Sequence, residues 1–180
     1  MPDKINKQII DSEGLHRTIT RLAHEIVERN RGAENLVIVG IRTRGVPLAE
    51  RLIKKIELIE NRKLPLGILD ITMYRDDVFK KMKQPKVRKT EIGFEIDGKI
   101  VILVDDVLYT GRTIRAALDA IIDFGRPTKI QLAVLIDRGH RELPIRADYV
   151  GEMVTTAMEE EVKVFVKELD DRDGVFLVKS

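Results

Sequence analysis

Val101-Ile-Leu-Val-Asp-Asp-Val-Leu-Tyr-Thr-Gly-Arg-Thr113 joins a β-branched run to two adjacent acids and then to a Thr-Gly-Arg-Thr turn. The run over residues 99–104 predicts a strand covered on both faces of a parallel sheet, ended by Asp105 and Asp106. Gly111 and its neighbours open a predicted helix over 113–124, stopped by Gly125 and Pro127. In an open α/β sheet, ligands bind beyond the carboxyl ends of the strands. Paired carboxylates there are costly to bury unless they meet hydroxyls, cations or water, whereas the start of a helix favours an anion. A ribose 5-phosphate meets both demands. Its 2- and 3-hydroxyls can donate to Asp105 and Asp106, and its phosphate can accept backbone N–H groups from the 109–113 loop, where Gly111 permits close approach.

Outward from this stretch the chain alternates strands and helices. Leu15, Ile19, Leu22, Ile26 and Val27 recur at helical spacing, predicting an amphipathic helix over 12–30 with Ser12 as its N-cap. A strand at 36–39, a helix at 47–60 and a strand at 66–74 precede the central run; strands at 130–136, 149–150, 162–166 and 175–178 follow it. Such alternation implies parallel βαβ units with right-handed crossovers. Residues 75–93, rich in Lys and Arg, have no convincing periodicity of either kind and are expected to form a mobile loop or hairpin.

The 180 residues suit a single domain spanning 1–180. No apolar run approaches the roughly 20 residues of a membrane span, and the polar start of the chain lacks the apolar stretch of a signal peptide. A cytoplasmic address without membrane association is the expectation. The absence of cysteine excludes disulfides and thiol catalysis, and a net charge of +2 gives no bulk attraction to a polyanion. Neither a Walker A loop nor a Gly-x-Gly-x-x-Gly fingerprint is present, and His16, His24 and His140 lack the spacing of a metal cage. A second loop, Gly40-Ile-Arg-Thr-Arg-Gly45, brackets two arginines with glycines after an earlier strand, a composition suited to a diphosphate.

The 101–113 run resembles the binding signature of the type I phosphoribosyltransferase family for PRPP, the pyrophosphate-activated ribose. Gly40 to Gly45 is similar to that family's pyrophosphate loop. With Thr72-Met-Tyr-Arg-Asp-Asp77 and the 136–151 stretch, the chain resembles the branch that combines uracil phosphoribosyltransferase activity with attenuation of pyrimidine operons. The resemblance implies an α/β type I phosphoribosyltransferase fold: a central, mostly parallel sheet flanked by helices, with a small hood formed by parts of 137–180. It implies catalytic roles for Asp105, Asp106 and Arg44, and a non-proline cis peptide in the pyrophosphate loop. It also implies PRPP or nucleotide contacts from Thr43, Arg44, Val107, Leu108, Tyr109, Thr110, Gly111, Arg112, Thr113, Arg138 and the backbone near Val162. Mg²⁺ would be bound mainly through PRPP and water, with no direct protein ligand assigned. An aromatic at Tyr109, where purine-type relatives commonly carry an acid, favours uracil as acceptor. The resemblance further implies that UMP or UTP favours the RNA binding. Homo-oligomers, dimers or larger, are implied as well.

Arg17, Thr20, Arg21 and His24 fall at i, i+3, i+4 and i+7, one stripe beside the apolar face of the first helix. The resemblance makes this stripe, with Arg141 and Arg146, a surface for the leader RNA of a pyrimidine operon. One departure weighs against it: Glu152 stands where relatives commonly carry Lys. A salvage phosphoribosyltransferase without RNA regulation, a nucleotide-sensing regulator with little turnover, and a purine-type transferase remain open at this level.

Overall fold

A computed structural model of the chain describes residues 4–77 and 89–179. The elements run β1 (Lys4–Ile10), α1 (Ser12–Asn30), β2 (Leu36–Ile41), α2 (Gly45–Glu60), β3 (Leu66–Leu69), a 3-10 turn (Thr72–Tyr74), β4 (Ile100–Leu108), α3 (Arg112–Ile122), β5 (Lys129–Asp137), β6 (Tyr149–Met153), β7 (Glu160–Phe165), α4 (Lys167–Asp170) and β8 (Gly174–Lys179). Most of the loop expected over 75–93 lies outside the described residues.

Five strands form a sheet of order β3-β2-β4-β5-β6 in which every neighbouring pair is parallel. Along β4 the side chains alternate between two cores. Ile102 and Val104 pack with α1 and α2, while Val101 and Leu103 pack with α3. The β-branched run is therefore continuous because both faces are covered. Right-handed crossovers put α2 and α3 on opposite faces, since the chain leaves β2 and β4 toward opposite edges of the sheet. The two loops part there, and a crevice opens between them, as at the topological switch point of other open α/β sheets.

Several expected boundaries move for identifiable reasons. Helix α1 is capped by Asp11, whose Oδ1 accepts the Gly14 N–H at 2.7 Å, not by Ser12. Strand β3 stops at Leu69 rather than reaching residue 74, because the Asp70 carboxylate accepts both the N–H and the hydroxyl of Thr72 and turns the chain. Strand β4 runs past Asp105 and Asp106 to Leu108: β5 continues alongside, pairing Asp105 with Val134 and Leu108 with Asp137. Helices α2 and α3 start two residues and one residue earlier than the periodicity places them, and α3 ends at Ile122.

A second, antiparallel sheet has the order β1-β8-β7. It draws β1 from the start of the chain, a segment too polar to read as a strand, alongside the expected strands near the end. Val162, Val164, Val166 and Val175 seat it on the α1/α2 side of the central sheet. Arg51 of α2 fastens it further, with Nε and Nη2 donating to Glu168 at 2.8 and 2.6 Å and Nη1 and Nη2 donating to Asp173 at 3.1 and 2.7 Å.

Gly45, the first residue of α2, lies against the backbone of β4. A Cβ there would press into the carbonyl oxygen of Val104. Gly45→Ala is expected to destabilise the fold by about 2 kcal/mol, the usual scale of overpacking against a part that cannot yield. A lowered midpoint in urea with an unchanged slope would report it.

Candidate functional site

The site begins where β2 stops pairing. Its ladder with β4 ends at Gly40 opposite Val104, so the next two residues of β4 lose a neighbour on one side. By the strand's alternation Asp105 shares the α3 side with Leu103, and Asp106 shares the other side with Val104. Asp105 is 7% exposed, whereas Asp106 is half-buried. The Asp105 Oδ1 accepts the Asp106 N–H at 2.9 Å, and the Asp106 Oδ1 accepts that of Val107 at 2.7 Å. Burial pushes the Asp105 carboxyl well above the ordinary carboxylate range, and the neighbouring Asp106 charge pushes it the same way. The pair is thus held where hydroxyl donors or a hydrated cation can satisfy it.

Thr43, Arg44, Asp105, Asp106, Val107 and Thr113 line one cavity of about 420 Å³, together with Asp70, Thr72 and Arg75. The Arg42–Thr43 peptide is cis. Tyr109, Thr110, Arg112 and Thr113 line a neighbouring cavity of about 610 Å³ that shares Arg75 with the first. A third, of about 590 Å³, is lined by Arg44, Asp106 and Val162 and faces β7. Gly111 takes φ 93°, a left-handed conformation suited to glycine, and its residue-109-to-113 loop leads directly into α3. Leu108 is buried in β4 and lines none of the three cavities.

The arginines expected at the ligand each engage groups of the chain itself. The Arg44 guanidinium donates to Asp170 at 2.8 Å. Arg112 donates to Asp76 at 2.6 Å and Glu142 at 2.8 Å, so its side chain bridges two loops rather than turning into the α3 N-terminus. Arg138 is buried over the Tyr109 ring, 3.9 Å from its centroid, and donates to the Glu160 carbonyl at 2.8 Å. The His140 ring stands edge-on to Tyr109, with Nε2 at 2.8 Å from the Thr156 carbonyl. The Val162 side chain faces the core, leaving its backbone as the part near the cavity.

Thr72 and Arg75 belong to the Thr72–Asp77 motif, in which Arg75 is expected to help neutralise the diphosphate; Asp70, Asp137 and Asp170 are the residues that sequence reasoning passed over. Asp137 carried a usable signal, since it directly follows the strand expected over 130–136. Asp70 fell inside the strand expected over 66–74, and Asp170 carried no signal, because its partner Arg44 is brought by folding.

On α1, Arg17 is exposed beside Glu13, and His24 is exposed one turn beyond Arg21. Arg17 and Arg21 share a groove of about 540 Å³ with Glu152 of β6. Thr20 donates its hydroxyl to the His16 carbonyl, and Arg21 donates to Glu25 and to the carbonyls of Val150 and Gly151. Arg141 is committed to its own loop: it donates to Asp137 at 2.6 Å and to the carbonyls of Tyr109 and Ile145, both at 2.8 Å. Arg146 is exposed, and neither it nor Arg141 lines the groove with Arg17.

Among the described residues no three His, Asp or Glu side chains converge into a metal cage. Asp105 and Asp106 are the oxygen donors available to a hard divalent ion that keeps most of its ligands from substrate and water. Among the described residues no helix is long and apolar enough to cross a membrane.

Comparison with known proteins agrees with this geometry. The chain is similar to proteins named Bifunctional protein PyrR: 63% identical to that of Pelotomaculum thermopropionicum over 173 residues, covering 96% of each. It is 60% identical to that of Alkaliphilus metalliredigens, covering 96% of this chain and 94% of the relative. In fold it resembles a hypoxanthine-guanine phosphoribosyltransferase of Bacillus anthracis, with a TM-score of 0.72 at 19% identity and 98% coverage of both chains. A hypoxanthine phosphoribosyltransferase of Staphylococcus aureus gives 0.73 at 20% identity, covering 97% of this chain and 92% of that one. Residues 6–171 match the phosphoribosyl transferase domain, and with the acid pair and the Gly111 turn at the switch point of the sheet, the chain belongs to that family.

Proposed function

We propose that the protein transfers the ribose 5-phosphate of PRPP to uracil, releasing diphosphate and forming UMP, and that it also acts as a UMP- or UTP-responsive RNA-binding attenuator of pyrimidine-operon transcription in the cytoplasm. The observation that carries the enzymatic half is the acid pair Asp105–Asp106 beside the crevice, followed by the Gly111 turn into α3. Displacement of diphosphate from the anomeric carbon builds positive charge on the ribose, so catalysis needs a clamped donor and a neutralised leaving group. In this reading Asp105 and Asp106 hold the ribose hydroxyls, the 109–113 backbone holds the 5-phosphate, and Thr43, Arg44 and Arg75 meet the diphosphate. Mg²⁺, held by the diphosphate, water and the acid pair, would supply charge neutralisation. Arg138, Tyr109 and the backbone at Val162 enclose the base, with the β1-β8-β7 sheet as the hood. A likeness to purine transferases at about 20% identity is one of fold; the Arg138-stacked aromatic at Tyr109 favours the pyrimidine.

The regulatory half rests on the names of the close relatives and on the exposed Arg17 and His24 of α1. Thr20 is bonded within its own helix, Arg141 is bonded to Asp137, Tyr109 and Ile145 away from the groove, and Glu152 places a negative charge in the groove. A homo-oligomer would widen this surface by repeating it.

Asp105→Asn with Asp106→Asn is expected to lower uracil transfer by a factor on the order of a thousand while the fold persists, as for the loss of charge-matched transition-state contacts. Steady-state assay beside a circular-dichroism melt separates the two effects. Asp105→Asn by itself is expected to raise the melting temperature of the ligand-free protein at pH 7. A carboxyl whose folded pKa is raised stabilises fully only below its unfolded value and loses that contribution as pH rises through the folded one. The gain therefore shrinks toward pH about 4, where the unfolded carboxyl itself becomes protonated.

With PRPP and a panel of labelled bases, uracil is expected to react faster than hypoxanthine, guanine or orotate; faster use of hypoxanthine would replace the pyrimidine reading by the purine one. For RNA, Arg17→Ala with His24→Ala is expected to weaken UMP-dependent binding of a pyrimidine-operon leader hairpin by about ten-fold at low salt, the scale of lost phosphate contacts. Uracil transfer should change little. Glu152→Lys should strengthen binding, with a benefit that fades as salt rises. Absence of UMP-dependent binding in both the parent protein and Glu152→Lys would sink the regulatory half.

A further inference from the structure

Arg44 stands between the first and third cavities and lines both, as Asp106 does. Its Nη2 donates to the Asp170 Oδ1 at 2.8 Å, with the two side chains 35% and 14% exposed. Its Nε is buried and, among the described residues, has no acceptor. Asp170 is held firmly by its own turn: its Oδ2 accepts the Val166 N–H at 2.9 Å, and its N–H donates to the Val166 carbonyl at 2.8 Å. A fixed acceptor thus retains a guanidinium that leaves one buried donor unsatisfied, and an unmade hydrogen bond of that kind is costly.

Arg51 provides the contrast on the same docking face. It spreads its donors over Glu168 and Asp173 and lines none of the three cavities. Arg51 is a fastener of α4 to α2. Arg44 reaches the same acidic segment from the pyrophosphate loop, with a poorer set of bonds and an open route to another anion.

We infer that Asp170 is a positioning residue acting as an internal stand-in for the diphosphate. It holds the Arg44 guanidinium between the cavities while the site is empty, and the diphosphate of the substrate displaces it. The inference rests on phosphoribosyl transfer as the reaction of this site. It assigns a specificity role: a singly charged anion competes poorly with a carboxylate already in place, whereas a diphosphate brings more charge and more acceptors, including one for Nε. Asp170 also belongs to the segment joining β7 to β8.

The test is calorimetric titration of the full chain with magnesium pyrophosphate. Asp170→Asn removes the competing charge but keeps an amide oxygen for the Val166 N–H. It is expected to tighten binding by about five-fold, the equilibrium equivalent of a partly exposed ion pair of about 1 kcal/mol. Asp170→Ser, which also removes the charge, carries the same expectation if the asparagine variant does not fold. Arg44→Ala should weaken binding, and adding Asp170→Asn to it should bring no gain. Arg51→Ala should lower the melting temperature and leave the dissociation constant within about two-fold, as for a pair away from the ligand. Unchanged or weaker binding in Asp170→Asn, or a gain that persists without Arg44, overturns the inference and leaves the transferase reading standing. A folded parent protein that binds no magnesium pyrophosphate overturns both.

Discussion

The unequal lengths of β2, β4 and β5 underlie everything else at the site. Strand β4 is paired on both sides up to Val104; beyond it β5 continues and β2 does not. That one-sided extension keeps the backbone of Asp105 and Asp106 extended and rigid while freeing the space beside them. Gly45, the first residue of α2, lets the chain pass against the Val104 carbonyl, which brings the 40–45 loop beside the acid pair. Because α2 and α3 lie on opposite faces, the loops from β2 and β4 separate around this point. The crevice is the gap they leave.

The interior of this architecture was legible because its cause is local. Residues 100–104 read as a doubly covered strand since both faces need apolar side chains, and the stripe from Leu15 to Ile26 read as a helix since only one face does. Where an element ends depends on distant partners. The extension of β4 through Asp105 is dictated by β5, and β1 is a strand only because β8 lies beside it, with register shifts that absorb its uneven pattern. Helix α4 has too few residues for any periodicity to appear. The loops that line the cavities were legible for a different reason: glycines, paired acids and Thr-Gly-Arg-Thr are a pattern written in contiguous residues. The partners of Arg44, Arg112 and Arg141 are not contiguous with them, and no local pattern foretells which carboxylate each will meet.

Those partners give the ligand-free site a common character. Arg44 meets Asp170, Arg75 meets Asp77, Arg112 meets Asp76 and Glu142, and Arg141 meets Asp137. A site able to hold a polyanion would repel itself if its cations stood uncompensated, and here acids from several loops supply the balance. The arrangement also divides labour among arginines that look alike in sequence. Some, such as Arg51 and Arg141, knit elements together with several bonds each. Others keep looser engagements at the cavity walls.

The bond from Arg21 to the carbonyls of Val150 and Gly151 has a consequence for the sheet as a whole. Strand β6 is the outer strand at one margin of the five-stranded sheet, and an unpaired margin is a template on which another extended chain can build. The guanidinium blocks part of that margin with a side chain that cannot itself propagate a ladder. Loss of Arg21 would therefore expose a sticky seam as well as remove a charge, and intermolecular strand addition would follow at high protein concentration. The α1 face that carries Arg21 thus shields part of the margin of the sheet.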